Sequence, residues 1–85
     1  MVTQTFEGVT PERWESLKTM FAHEANVTIN SDEGSAESHG IQFAWLLSSE
    51  TLLVTIKSIS WTLKALGMTE ESVMAKFTAW IDGVQ

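Results

Sequence analysis

Apolar and polar positions follow two different periods along this chain, and the changes between them mark its elements. Val2-Thr3-Gln4-Thr5-Phe6-Glu7 is rich in β-branched and aromatic residues and ends at Gly8. That predicts a short strand with Val2, Gln4 and Phe6 on one face. The period then becomes helical. Thr10 is placed to cap, Pro11 suits the first helical position, and Glu12 favours the positive end of the helix dipole. At about 100° per residue, Trp14, Leu17, Phe21 and Ala25 fall on one stripe, with Met20 at its edge and His23 and Thr19 on the far side. The pattern predicts a surface helix running to Ala25.

Residues 26–30 alternate again, with Val27 and Ile29 inward, and predict a second strand. Ser31-Asp32-Glu33-Gly34-Ser35 then reads as a turn. Ile41, Phe43, Trp45 and Leu47 alternate with Gln42, Ala44, Leu46 and Ser48 in a third strand. Past a short loop at Ser48-Ser49-Glu50-Thr51, Leu52, Val54 and Ile56 oppose Leu53, Thr55 and Lys57 in a fourth strand that extends as far as Ile59. Residues 60–68 fit a helical turn stopped by Gly67 better than an extended connection.

The last element is the most sharply marked. Thr69 caps, Glu70 and Glu71 occupy the first turn, and Gly83 follows the periodic stretch. Val73, Phe77, Trp80 and Val84 form its stripe, flanked by Met74 and Ile81. The fold class that follows is α+β, in the order β-α-β-β-β-α. A four-stranded, mainly antiparallel sheet carries the two helices on one face. The opposite face then bears Gln42, Ala44, Leu46, Leu53, Thr55 and Lys57, with Leu46 and Leu53 either side of one hairpin.

Size and composition add bounds. Eighty-five residues read as one domain, 1–85, which buries a modest core. There is no cysteine to staple it, so 44% apolar residues, including four Trp and four Phe, must supply the stability. The net charge is −6, and Arg13, Lys18, Lys57, Lys64 and Lys76 are scattered singly. A phosphate-binding surface needs clustered cations, so neither nucleic acid nor an anionic membrane is expected as a partner. The start Met1-Val2-Thr3-Gln4 has no export pattern, and no stretch is long enough to span a bilayer, so the expected location is cytoplasmic.

From Pro11 onward the element order α-β-β-β-α is similar to that of double-stranded-RNA-binding domains. That resemblance implies a cationic start to the last helix, where those domains meet phosphate. Here the corresponding residues are Thr69-Glu70-Glu71-Ser72, and the likeness stops at element order.

Candidate chemistry is thin. His23 and Glu24 are neighbours on a helix and do not face each other. Glu37 and His39 flank a strand entrance and form a polar candidate site, and with Asp32 and Glu33 they make an acidic stretch that fails the calcium-loop pattern. No nucleotide-binding glycine motif or nucleophile elbow occurs, and no cofactor is expected. Two readings remain. The first is an interaction module that self-associates as a homodimer through a sheet face or edge, with Leu46, Leu53 and Trp61 as interface candidates. The alternative is a small apolar-ligand or enzyme domain, with a pocket near Trp61, Met68 and Met74 between the sheet and the last helix.

The stripes carry a testable ranking. Phe77→Ala or Trp80→Ala costs about 3–5 kcal/mol if the ring is buried, whereas His23→Ala stays within about 0.5 kcal/mol. Chemical denaturation of the three variants checks the helix faces.

Overall fold

The computed structural model describes residues 1–83. Val84, the last residue of the expected stripe, lies outside the described residues. The chain runs β1 (Val2–Phe6), α1 (Pro11–Glu24), β2 (Glu33–Ser38), β3 (Ile41–Ser48), β4 (Thr51–Ile59), α2 (Trp61–Ala65) and α3 (Glu70–Gly83). The four strands form one antiparallel sheet in the order β1-β4-β3-β2. The expected α+β class, its strand count and its helices against the sheet are all present.

Each helix begins with the cap its sequence announces. Thr10 Oγ1 accepts the Arg13 N–H at 3.3 Å, with Pro11 at the first position of α1. Ser60 Oγ accepts the Leu63 N–H at the start of α2. At α3 the exchange is reciprocal, Thr69 Oγ1 accepting from Ser72 N–H and Ser72 Oγ from Thr69 N–H. The far end of α3 has no basic residue in its last turn. Arg13 supplies one from α1, its guanidinium donating to the Ile81 carbonyl at 3.0 Å. Asn26, at φ 55°, takes the left-handed conformation just beyond α1, where asparagine is tolerated.

The core lies between one sheet face and the helices. Trp14, Leu17 and Phe21 from α1, Phe43 and Trp45 from β3, Leu52, Val54 and Ile56 from β4, and Val73, Met74, Phe77 and Ile81 from α3 are all buried. The α1 stripe is the expected one. The α3 stripe is rotated slightly. Its buried line is Val73, Met74, Phe77 and Ile81, while Trp80 is half-buried at the edge, stacked on Phe77 at 5.4 Å.

One expectation is overturned. Residues 26–30 are not a strand, and β2 instead occupies Glu33–Ser38, across the segment read as a turn. Val27 and Ile29 are buried as expected, but on an extended connection that joins no ladder. The true β2 is Glu-Gly-Ser-Ala-Glu-Ser, with Gly34, Ala36 and Ser38 turned toward the helices. Its inward positions are small because a neighbour already fills the space. Gly34 pairs with Trp45, and a Cβ on Gly34 would stand 2.8 Å from the indole. Trp45 Nε1 also donates to the Ser31 carbonyl at 3.0 Å, pinning the chain as it enters β2. Trp14 Nε1, by contrast, is buried with no hydrogen-bond partner among the described residues.

Both hairpins turn on two residues with positive φ, the geometry of a type I′ turn: His39 and Gly40 between β2 and β3, Ser49 and Glu50 between β3 and β4. Gly40 also lies where a Cβ would meet Ser60 Oγ at 2.8 Å, so the first turn packs on the start of α2. Ser49-Glu50 holds the same backbone with neither glycine nor asparagine.

Two outcomes follow. Phe77→Ala is the costlier core truncation, about 3–5 kcal/mol, and Trp80→Ala falls below it because its ring keeps solvent contact, as urea titration will rank. Glu50→Gly raises stability by about 0.5–1 kcal/mol in the same assay, since glycine removes the left-handed penalty at a modest entropic cost.

Candidate functional site

The residues singled out in the sequence distribute over three surfaces. On the uncovered sheet face, Leu46 and Leu53 are cross-strand partners between β3 and β4. Leu46 is exposed and Leu53 half-buried. Hydrogen bonds tie up the polar residues around them. Thr3 and Thr55 hydroxyls meet at 3.1 Å, Ser58 Oγ donates to Gln42 Oε1, and Gln42 Nε2 donates to Glu37 Oε2. Lys57 has no register partner and forms a bulge in β4.

The second surface is the β2–β3 turn. The turn separates the polar pair, because β2 ends at Ser38 and His39, at φ 54°, has left the strand's alternation. Glu37 lies on the outer face with Gln42, while His39 Nδ1 lies 2.9 Å from Ser38 Oγ on the inner side. Ser38 and His39 are the one close hydroxyl–imidazole contact among the described residues. The Ser38 hydroxyl proton, however, is given to the Ala25 carbonyl. His39 therefore meets an oxygen that is already donating elsewhere, a holding arrangement rather than a general base aimed at a nucleophile. Beside it is a small enclosed cavity of about 40 Å³ between Phe43, Phe77 and Trp80, well below the volume a small ligand needs. Among the described residues no three His, Asp or Glu side chains gather as a metal-binding cluster.

The third surface is the end of the sheet that α2 occupies. Four large apolar side chains in the described residues are exposed: Met1, Leu46, Trp61 and Leu66. Trp61 and Leu66, at 78% and 77% exposed, belong to α2 and its C-cap. On a wheel of about 100° per residue, Leu63 is the one α2 side chain turned to the core, Trp61 and Ala65 lie opposite it, and Leu66 is exposed as the C-cap past the last turn. Met1 lies in the adjoining groove, about 430 Å³, whose walls include Val2, Ile59, Lys64, Met68 and Glu71. The Met1 amino group is 2.5 Å from Glu70 Oε1 there.

The three expected pocket residues are thus parted. Met74 is packed into the core, Met68 is half-buried in the groove, and Trp61 stands in solvent beside it. The interface candidates are parted too: Leu46 and Leu53 share the sheet face, and Trp61 lies beyond the far end of β4. Leu66 and Met1 are additions that sequence reasoning missed. No apolar periodicity marks them, and only the exposed turn of α2 brings them into view.

No helix among the described residues is long and apolar enough to cross a membrane. The chain matches no protein-family model, and no curated protein and no solved structure matches it.

The Ser38–His39 reading has a direct test. Ser38→Ala costs about 1–2 kcal/mol by urea denaturation, because the buried Ala25 carbonyl loses its donor. His39→Asn, which tolerates the positive φ, changes stability by less than about 0.5 kcal/mol.

Proposed function

We propose that this domain is an interaction module that pairs with a second copy of itself through the end of the sheet capped by α2. The observation that carries this reading is the concentration of exposed apolar surface there. Among the described residues, three of the four large exposed apolar side chains, Met1, Trp61 and Leu66, lie on α2, at its C-cap or in the groove beside it. Tryptophan is among the residues most enriched at the energetic centres of interfaces, and leaving an indole in water forgoes its large apolar area. A small domain also gains from the extra burial that association brings.

The open edge of β2 suits a second copy less well. The Leu47 N–H bonds to the Asp32 carbonyl, and the register Glu33↔Leu46 continues that ladder. This directs the backbone groups of Glu33, Ser35 and Glu37 toward the open edge of β2. Antiparallel pairing of two such edges about Ser35 would set Glu33 opposite the other copy's Glu37, like charge against like. The uncovered face offers the Leu46–Leu53 pair, a smaller apolar patch hemmed by polar side chains that already bond to one another.

Light scattering on size-exclusion fractions at two well-separated concentrations tests the reading. The expected result is a dimer at the higher concentration and a monomer for Trp61→Ser, with the thermal midpoint of the variant unchanged at low concentration. A dimer that survives Trp61→Ser but is lost in Leu46→Ser would move the interface to the sheet face. A monomer throughout would end the proposal.

A further inference from the structure

Resting on that self-association, we infer that the dimer forms by reciprocal exchange of one side chain, Trp61 of each copy entering the groove beside α2 of the other. Knob and socket lie next to each other on the same chain. Lys64, on the groove wall, is three residues beyond Trp61 in α2, about 60° away around the helix. The exposed indole therefore projects beside the groove mouth without entering its own groove. A two-fold axis close to α2 brings each indole over the other copy's opening, an isologous contact that closes at two chains.

The groove has the chemistry an indole needs. Val2, Ile59 and Met68 give it apolar walls, and its roughly 430 Å³ lies in the range that holds small ring systems. Methionine packs well against aromatic rings and adapts its shape to them. Lys64 at the mouth provides a cation for the ring face, and Glu71 provides an acceptor for the indole N–H. Charge is complementary at the groove mouths as well: Glu70 is met by the Met1 amino group of its own chain, which leaves Glu71 of one copy for Lys64 of the other.

The area involved sets the strength. Two indoles and the walls that receive them bury roughly 800 Å² in total, below a standard-size interface and in the range of transient ones. The dimer is therefore weak and concentration-dependent, not obligate.

The absence of cysteine makes a clean test available. A nitroxide spin label is attached at Thr62→Cys, an exposed α2 position outside the groove lining, and this ¹⁴N protein is mixed with ¹⁵N wild-type chain. At a concentration where light scattering finds dimer, the Trp61 indole N–H resonance is expected to lose most of its intensity. The indoles of Trp14 and Trp45, buried in the core, keep theirs. The same label at Lys76→Cys, exposed on α3 and outside the groove lining, should give the same pattern and guards against a disturbance caused by the first site. If dimer is present and the Trp61 signal keeps its intensity with both labels, insertion is refuted while self-association stands. If no dimer is found at any concentration, both fall together.

Discussion

Three phenylalanine rings, one from each packing unit, hold this architecture together. Phe21 of α1 meets Phe77 of α3 edge-on at 5.5 Å, Phe77 meets Phe43 of β3 edge-on at 5.2 Å, and Phe43 lies 6.1 Å from Phe21. With no disulfide available, this contact is what fixes both helices to one face of the sheet. The consequences spread outward. Because both helices are committed to one side, the other face is left open. Because α3 is seated by Phe77, its C-terminal carbonyls come within reach of Arg13, which ties the ends of the two helices together.

Much of this was readable from residue order because burial and periodicity coincide in α1, β3, β4 and α3. Trp14, Leu17 and Phe21 recur at helical spacing, and Phe43 and Trp45 at strand spacing, for the same reason: each faces one core. The strand β2 was illegible because its signal is carried by another strand. Where Trp45 lies over Gly34, the core needs no large residue from β2, so glycine, alanine and serine occupy the inward positions. Its edge position also favours the charges and small residues that discourage further pairing. Conversely, Val27 and Ile29 show strand periodicity because an extended chain crossing a core boundary must also alternate, whether or not it hydrogen-bonds to a neighbour. Periodicity reports burial, and burial is only half of what defines a strand.

The candidate surfaces were legible to different degrees. The Leu46–Leu53 contact followed directly from the hairpin register. Separation of Glu37 from His39 depended on where β2 ends and turns, at Ser38 and His39, and could not be read without it. Trp61 stood out as an aromatic outside any stripe, but its neighbours could not be assigned, because Met1 reaches α2 only through the pairing of β1 with β4. An exposed apolar surface built around a five-residue helix leaves little trace in sequence. Its members owe their proximity to topology, and local pattern does not encode that.

The position of β4 at the centre of the sheet also shapes how the molecule is made. Strand β1 leaves the ribosome before the other three, yet its register partners, from Val2↔Ile56 to Phe6↔Leu52, are synthesised about fifty residues later. Until then β1 lacks the strand it pairs with. The hairpins of β2, β3 and β4, closed by two-residue turns, can form as they emerge, and β1 is added only afterwards as the outermost strand. The strand made before the other three is thus the last to be secured, and until then β4 carries a vacant flank.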